Sequence, residues 1–437
     1  MSKSICPFYP RPLYNLQTQK DPIMTDFSKL ARKLTWVLFA NQSLASAGFI
    51  ASATLNSIIG AKLAGNPSFA GVPSAVYLLG AAFAASAWGY LMDRIGRRNG
   101  IVSGLLIGVI GNVLVLYALA ISSFLLFLTG MVLMGITNAA VVLSRFAAAE
   151  VNPPERRGAA ISNVVVGGTF GAIVGPLLVG PMGNFARSLG MDELAGAYLA
   201  TLVLFAISAV VVFAGLRPDP LDLGKQVAAL YPGLTLTGEA RPIFDIFRQP
   251  AALVAVTAMV LGQVVMVAIM VITSLHMRNH QHNLRDISAV ISSHTLGMFA
   301  FSVLSGRLSD KWGRGPVILV GASTLLLACI TAPLSPNVFP LAVSLFLLGL
   351  GWNFCFVGGS ALLSDQLSPL ERSRTQGTND LLVGLASATG SLGSGFIFAA
   401  SNYTVIALVS GILALAPLIM SLLWMRKKSL LATAYTD

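Results

Sequence analysis

Two short charged segments, 217 residues apart, carry most of the ionisable side chains that this chain groups together. The first is Gly89-Tyr90-Leu91-Met92-Asp93-Arg94-Ile95-Gly96-Arg97-Arg98, and the second is Gly306-Arg307-Leu308-Ser309-Asp310-Lys311-Trp312-Gly313-Arg314-Gly315. Each sets an Asp four residues before an Arg, with glycines (Gly89 and Gly96, Gly306 and Gly313) to allow a sharp turn. Asp93 can pair with Arg97 across such a turn, and Asp310 with Arg314. Glu150 extends the first set, and Asp365 takes the equivalent place in the second. Charge-assisted pairs of this kind hold segments together. The other reading of these charges is a set of solvated loop groups.

A second group of polar residues sits alone in apolar sequence. Arg145 lies inside a long apolar run, where an Arg faces a cavity or a partner by default. It either binds an anionic group, pairs with Glu150 or Asp380, or snorkels to the interface. Asp380 and His294 are the two candidates for proton coupling. Asp380 is placed beside Asn379 at the start of an apolar segment, so it also suits a helix N-terminus. His294 equally suits a hydrogen bond in a packed bundle. Gln42, Ser46, Asn138, Gln263, Trp352 and Asn353 are uncharged polar residues at mid-depth, with Met131, Met134 and Phe354 among their apolar neighbours. They either line a cavity for an amphiphilic organic molecule or join helices.

Other chemistries find no residues. No Ser/His/Asp set, His-rich segment or phosphate-cradling loop stands where an enzyme needs one. An enzyme is therefore not expected. Cys6, Cys329 and Cys355 form neither a disulfide framework nor a metal spacing. His276 and His280 are four apart, but only Asp286 is near them and His282, so a solvated loop is the expectation. No cofactor and no metal are expected.

The segments that position these residues are apolar and long. Of 437 residues, 55% are hydrophobic and 10% are charged, against about 25% charged in soluble domains. A bilayer crossing takes about 20 apolar residues. Twelve such stretches are read, at 34–60, 69–90, 101–121, 123–148, 159–181, 195–216, 250–275, 287–306, 316–333, 338–363, 375–399 and 403–425. The net charge of +11 does not point to nucleic acid, because 23 of the 28 Lys and Arg lie in the N-terminal segment, alternate loops and the C-tail. Lys62, Arg187, Arg278 and Arg285 fall in the opposite loops, and Arg145 inside a span. That asymmetry places both termini, both charged segments and the long middle loop in the cytoplasm. Residues 1–33 read as a cytoplasmic segment rather than a signal peptide, with Met24 an alternative start.

The division is into a six-helix bundle over 34–216, a Pro-containing cytoplasmic linker over 217–249, a second bundle over 250–425 and a tail over 426–437. The halves repeat collinearly. Gly80 matches Gly297, Glu150 and Glu155-Arg156 match Asp365 and Glu371-Arg372, Ser162-Asn163 matches Thr378-Asn379, and Gly168 matches Gly384. Duplicated halves of parallel topology build a substrate site at their interface.

On these motifs the chain resembles the major facilitator superfamily over roughly residues 34–425. The family's Gly-x-x-x-Asp-Arg-x-Gly-Arg-Arg signature is complete between spans two and three, and a weaker copy follows between spans eight and nine. Gly171, Gly175 and Pro176 in span five match a smaller signature, typical in the family of drug-exporting antiporters. The resemblance implies an all-α membrane fold of twelve transmembrane helices in two pseudo-symmetric six-helix bundles. It also implies a conformational latch: Gly89, Asp93, Arg94, Gly96, Arg97, Glu150, Arg156, Gly306, Asp310, Arg314, Asp365 and Arg372 would close the cytoplasmic side and break on switching. The family's span-four proton-antiport Arg is missing near Met131.

The expected function is secondary active transport of a small organic solute by alternating access, with proton-coupled efflux first. Uptake of a nutrient or vitamin, or facilitated diffusion, is the alternative. The expected partners are a small-molecule substrate, the lipid bilayer and protons, with no nucleic acid. The protein is expected as a monomer in the inner (plasma) membrane.

Overall fold

The computed structural model describes residues 22–153, 156–229 and 241–433. Among the described residues twelve helices are long and apolar enough to cross a membrane, the pattern of a multi-pass membrane protein. Spans one to six are Phe27–Ala53, Pro67–Ala85, Arg97–Ala120, Phe124–Glu150, Ala159–Ser188 and Ala195–Gly215. Spans seven to twelve are Pro250–Asn279, Leu284–Trp312, Arg314–Leu334, Val338–Ser364, Arg374–Ala400 and Tyr403–Lys427. Spans one, two, three, four, five and six pack among themselves, as do seven to twelve. The bundles meet where span five touches span eight and span two touches span eleven.

The sequence reading ran span one on to residue 60, but the helix stops at Ala53 and a separate helix, Asn56–Ala64, follows. The cause is local. Ser52 and Thr54 donate their hydroxyls to the Phe49 and Ile50 carbonyls, which competes with the helix ladder. Asn56 then bonds Ser74 and accepts a 2.6 Å bond from the Tyr198 hydroxyl, which pins the break inside the bundle. Span eight is also broken. Its two helices are Leu284–Phe299 and Ser302–Trp312, and the Ser305 hydroxyl donates to the Phe301 carbonyl across the junction.

The glycine repeat has a packing cause. A Cβ on Gly80 would lie 3.1 Å from the Val132 carbonyl oxygen of span four, and one on Gly297 would lie 2.3 Å from that of Phe346 in span ten. Spans two and four therefore pack closely at Gly80, and spans eight and ten more closely still at Gly297.

Candidate functional site

Both charged turns bend at a glycine, but at only one of each pair. Gly96 sits at φ +89° and ψ 160°, and Gly313 at φ +90° and ψ 163°, a region open in practice to Gly alone. Gly89 and Gly306 are different: they lie within helices, and a Cβ on either would meet open space. The expectation that Gly89 and Gly306 make the turn is corrected.

In the first turn Arg97 is saturated. Its Nη1 lies 2.7 Å from Asp93 Oδ1, and its Nε and Nη2 donate to Glu150 at 2.9 and 2.5 Å. The Arg97 side chain is 15% exposed and that of Glu150 30%. An unforeseen residue completes the cluster. Asp219, just past span six, accepts from the backbone N–H groups of Arg97 and Arg98 at 3.0 Å each. A carboxylate there satisfies free amides at the N-terminus of span three and complements its dipole. Arg94 turns away and lies over the Tyr90 ring at 4.4 Å.

In the second turn Arg314 bonds Asp310 at 2.6 Å and Asp365 at 3.1 Å, with Asp365 48% exposed. Among the described residues no carboxylate caps the first amides of span nine. Asp93, Arg97 and Glu150 tie spans two, three and four of one bundle, and Asp310, Arg314 and Asp365 tie spans eight, nine and ten of the other. Each guanidinium spends its donors within its own half. Arg156 is exposed at the entry to span five and belongs to neither cluster. Glu155 and the Arg372 side chain lie outside the described residues.

Hydrogen bonds between the bundles are made at the far end, opposite the charged turns. Ser391 of span eleven donates to the Gly71 carbonyl at 2.7 Å, and Arg278 reaches Glu193 at 2.8 Å. Gly71 leaves no room there, since a Cβ would fall 1.7 Å from the Ser391 carbonyl oxygen.

The linker is anchored at both ends. Asp219 holds the first bundle. Arg241 holds the second, donating from its backbone N, Nε and Nη2 to the Glu371 carboxylate at 3.0, 2.7 and 2.8 Å. Glu371 also accepts from the Ser368 amide in a capping box that opens the helix Pro369–Ala400. The Arg241 side chain, then the Ser368 and Arg241 amides, hold the Glu371 carboxyl well below the usual carboxylate range.

This moves the helix-start role away from Asp380. The helix begins eleven residues earlier, so Asp380 is not an N-terminal acid; Glu371 is. Asp380 is exposed on span eleven, and the charge of Arg145 on span four acts on it, but the two form no ion pair. The Arg145 Nε is buried without a hydrogen bond among the described residues, and the guanidinium lies 5.0 Å from the Phe146 ring centre.

The mid-depth polar residues divide. Gln42 lies in contact range of Gly168, and Asn138 is half-buried; neither makes a hydrogen bond among the described residues. Ser46 donates to the Gly168 carbonyl, joining spans one and five. The Gln263 side-chain oxygen accepts from the Trp352 indole at 2.6 Å, and Trp352 stacks on Phe356 at 5.0 Å. Asn353 is buried and braces the break in span eight through the Met298 carbonyl, Ser302 and Ser305. Met131 and Met134 are fully buried inside the first bundle, and Phe354 is buried against span nine. These three are core, because neighbouring spans cover faces that read from sequence as lining.

His294 is buried between spans eight and ten, with Nδ1 3.0 Å from the Leu345 carbonyl oxygen. His276 stacks on Tyr403 at 4.3 Å. No metal-ligand cluster occurs among the described residues. Gly171 and Gly175 pack on span one: a Cβ would stand 2.1 Å from the Ser43 carbonyl oxygen and 2.5 Å from that of Ala47. Pro176 lies inside the same helix.

Two repeated six-helix bundles of parallel topology are the architecture of one large class of transporters. The sequence profile of the Major Facilitator Superfamily matches residues 38–284 and 254–433. The chain belongs to that superfamily. It is 37% identical to an uncharacterized MFS-type transporter, YdeG, of Bacillus subtilis (strain 168), over 91% of this chain and 93% of that one. It is 30% identical to the riboflavin transporter RfnT of Brucella anthropi over 91% of this chain and 98% of that one. It is 27% identical to the multidrug resistance protein MdtG of Yersinia enterocolitica over 64% and 65%. Among solved structures, the nucleoside transporter NupG superposes with a TM-score of 0.67 at 16% identity, covering 90% of this chain and 98% of that one.

Proposed function

We propose that the protein is a secondary active transporter that moves a small organic solute by alternating access, with proton coupling through Asp380 and Arg145. The observation that carries this reading is the placement of contacts between the bundles. Direct bonds join them at the far end, while nearer the charged turns the charge of Arg145 acts on Asp380 across a gap that no ion pair closes. Closing that gap while the far-end bonds open gives two states with different contacts, which alternating access requires. Asp380 is exposed in the arrangement described here. Protonation would remove its attraction to Arg145 and so link closure to a proton.

For direction we take uptake of a vitamin-like nutrient. Similarity to a riboflavin transporter runs over nearly the whole chain, whereas similarity to a multidrug resistance protein covers two thirds of it. The span-five glycines are accounted for by packing on span one. Export remains the second reading, favoured by the multidrug relative. The Lys and Arg distribution supports an inner-membrane protein with the charged turns, the linker at 217–249 and both termini cytoplasmic. We take the working unit as a monomer with bundles over 34–216 and 250–425.

The test is solute movement in proteoliposomes under an imposed pH gradient, with riboflavin, its anionic 5′-phosphate and a lipophilic cation as cargo and a pH dye inside. Proton flux with a flavin, lost in Asp380→Asn, is the expected result. Riboflavin movement with a flat dye trace would sink proton coupling. Proton flux with the cation alone would favour export.

A further inference from the structure

Between the charged-turn ends of spans one and five lies a groove of about 860 Å³, lined among others by Lys29, Arg32, Trp36, Phe39, Arg156 and Phe170. We propose that this groove binds a planar aromatic anion, with its carboxylate, sulfonate or phosphate between Arg32 and Arg156 and its ring against Trp36, Phe39 and Phe170. The inference rests on the transporter reading above and names its substrate class.

Charge is the first argument. Among the described residues no Asp or Glu lines the groove. Lys29, Arg32 and Arg156 make no ion pair or hydrogen bond with a described residue. Lys29 also borders a separate pocket with Lys33 and Asp222, so the two arginines are the freer groups. A guanidinium presents a planar fork that matches carboxylate, sulfonate or phosphate.

The aromatic groups are the second argument. Trp36 and Phe39 meet edge to face at 5.2 Å, and Phe39 meets Phe170 at 6.0 Å. Trp36 is 62% exposed. Arg32, Trp36 and Phe39 fall four and three residues apart, so one helix face carries both the cation and the rings. Gln42 and Ser46 continue that face inward. Asn163 of span five also lines the groove and is unbonded among the described residues.

The other half carries cations at matching places, Arg248 before span seven and Arg372 at the entry to span eleven, but span seven holds no Phe, Trp or Tyr. The aromatic wall is therefore not a by-product of the repeat. Basic residues that serve topology alone can stand anywhere near a span end. Here they share one groove with three aromatic rings and, among the described residues, no acid.

The test is calorimetric titration of the full chain in phosphatidylcholine nanodiscs with naphthalene-1-sulfonate, 1-naphthol and butane-1-sulfonate. The aromatic sulfonate should bind about tenfold more tightly than either of the others, as a charged hydrogen bond plus ring burial requires. Arg32→Gln and Arg156→Gln should each remove that preference and leave 1-naphthol binding unchanged. Arg285→Gln, at the far-end start of span eight, should bind as the parent does. Equal binding of sulfonate and naphthol, or parental affinity in both arginine variants, would overturn the proposal. A second arm uses phosphatidylglycerol nanodiscs. Displacement of the probe there, with phosphatidylglycerol retained by the parent and lost in Arg32→Gln, would make the groove a lipid-headgroup site and equally overturn it. Binding needs no turnover, so selective binding without solute movement would strike only the transport reading.

Discussion

The two charged turns share a motif and a backbone conformation, yet they are not equivalent. At Gly96 the turn is enclosed: Arg97 is bound on three nitrogens, and Asp219 caps the helix behind it. At Gly313 the same geometry stands in the open, and a Cβ there would meet only Pro316 Cδ at 3.9 Å. A duplicated motif therefore fixes the turn twice and the strength of the tie once. The difference comes from the linker, which passes the first bundle and supplies Asp219.

The widest separation should come from the arginines. Arg97→Ala strips two carboxylates of a largely buried partner and should cost about 2–3 kcal/mol. Arg314→Ala, among exposed acids, should cost under about 1 kcal/mol. Thermal unfolding in detergent, read side by side, checks this, and equal losses would break the comparison. The glycines come next. Gly313→Ala meets backbone strain alone, about 1–3 kcal/mol. Gly96→Ala adds a Cβ 2.4 Å from an Asp219 oxygen, so its unfolding temperature should fall further. The double variant Gly96→Ala/Asp219→Ala should recover part of that difference. Asp219→Asn alone keeps the shape and loses the charge at the helix start, worth about 0.3–1 kcal/mol. It should leave the second turn untouched, which cysteine accessibility at positions 93 and 310 can report.

The smallest effect concerns pH. Arg241 holds Glu371 below the ordinary carboxylate range. A depressed carboxyl contributes stability that is fully present above its unfolded value, about 4.3, and is lost only as pH falls through the lower folded value. The difference in unfolding temperature between the parent and Arg241→Ala should therefore stay flat from pH 8 to pH 5.5. A slope in that window would mean that another group titrates against the linker.

The span count and the repeat were legible because each span is a continuous apolar run and each turn needs a Gly beside an Asp–Arg pair four residues apart. The breaks after Ala53 and Phe299 were not read. They depend on hydroxyls that bond the helix backbone, and those residue types also occur in unbroken spans. Asp380 was read as a helix start because the apolar run begins near it; the helix itself begins at Pro369, in polar sequence that a hydropathy window skips. Asp219 and Arg241 left no signal, since their partners lie 122 and 130 residues away in the chain.

By itself the sequence determined what depends on local chemistry: twelve apolar spans, two glycine turns, their ion pairs and the asymmetry of positive charge. Tertiary structure alone decided what depends on which helix faces meet. It buried Met131, Met134 and Asn353 inside the bundles, and brought Asp380 within reach of the Arg145 charge. It also gathered Arg32, Arg156 and three aromatic rings into one groove. An apolar span shows nearly the same composition on every side, so only its neighbours decide which side is core, which faces lipid and which faces a solute.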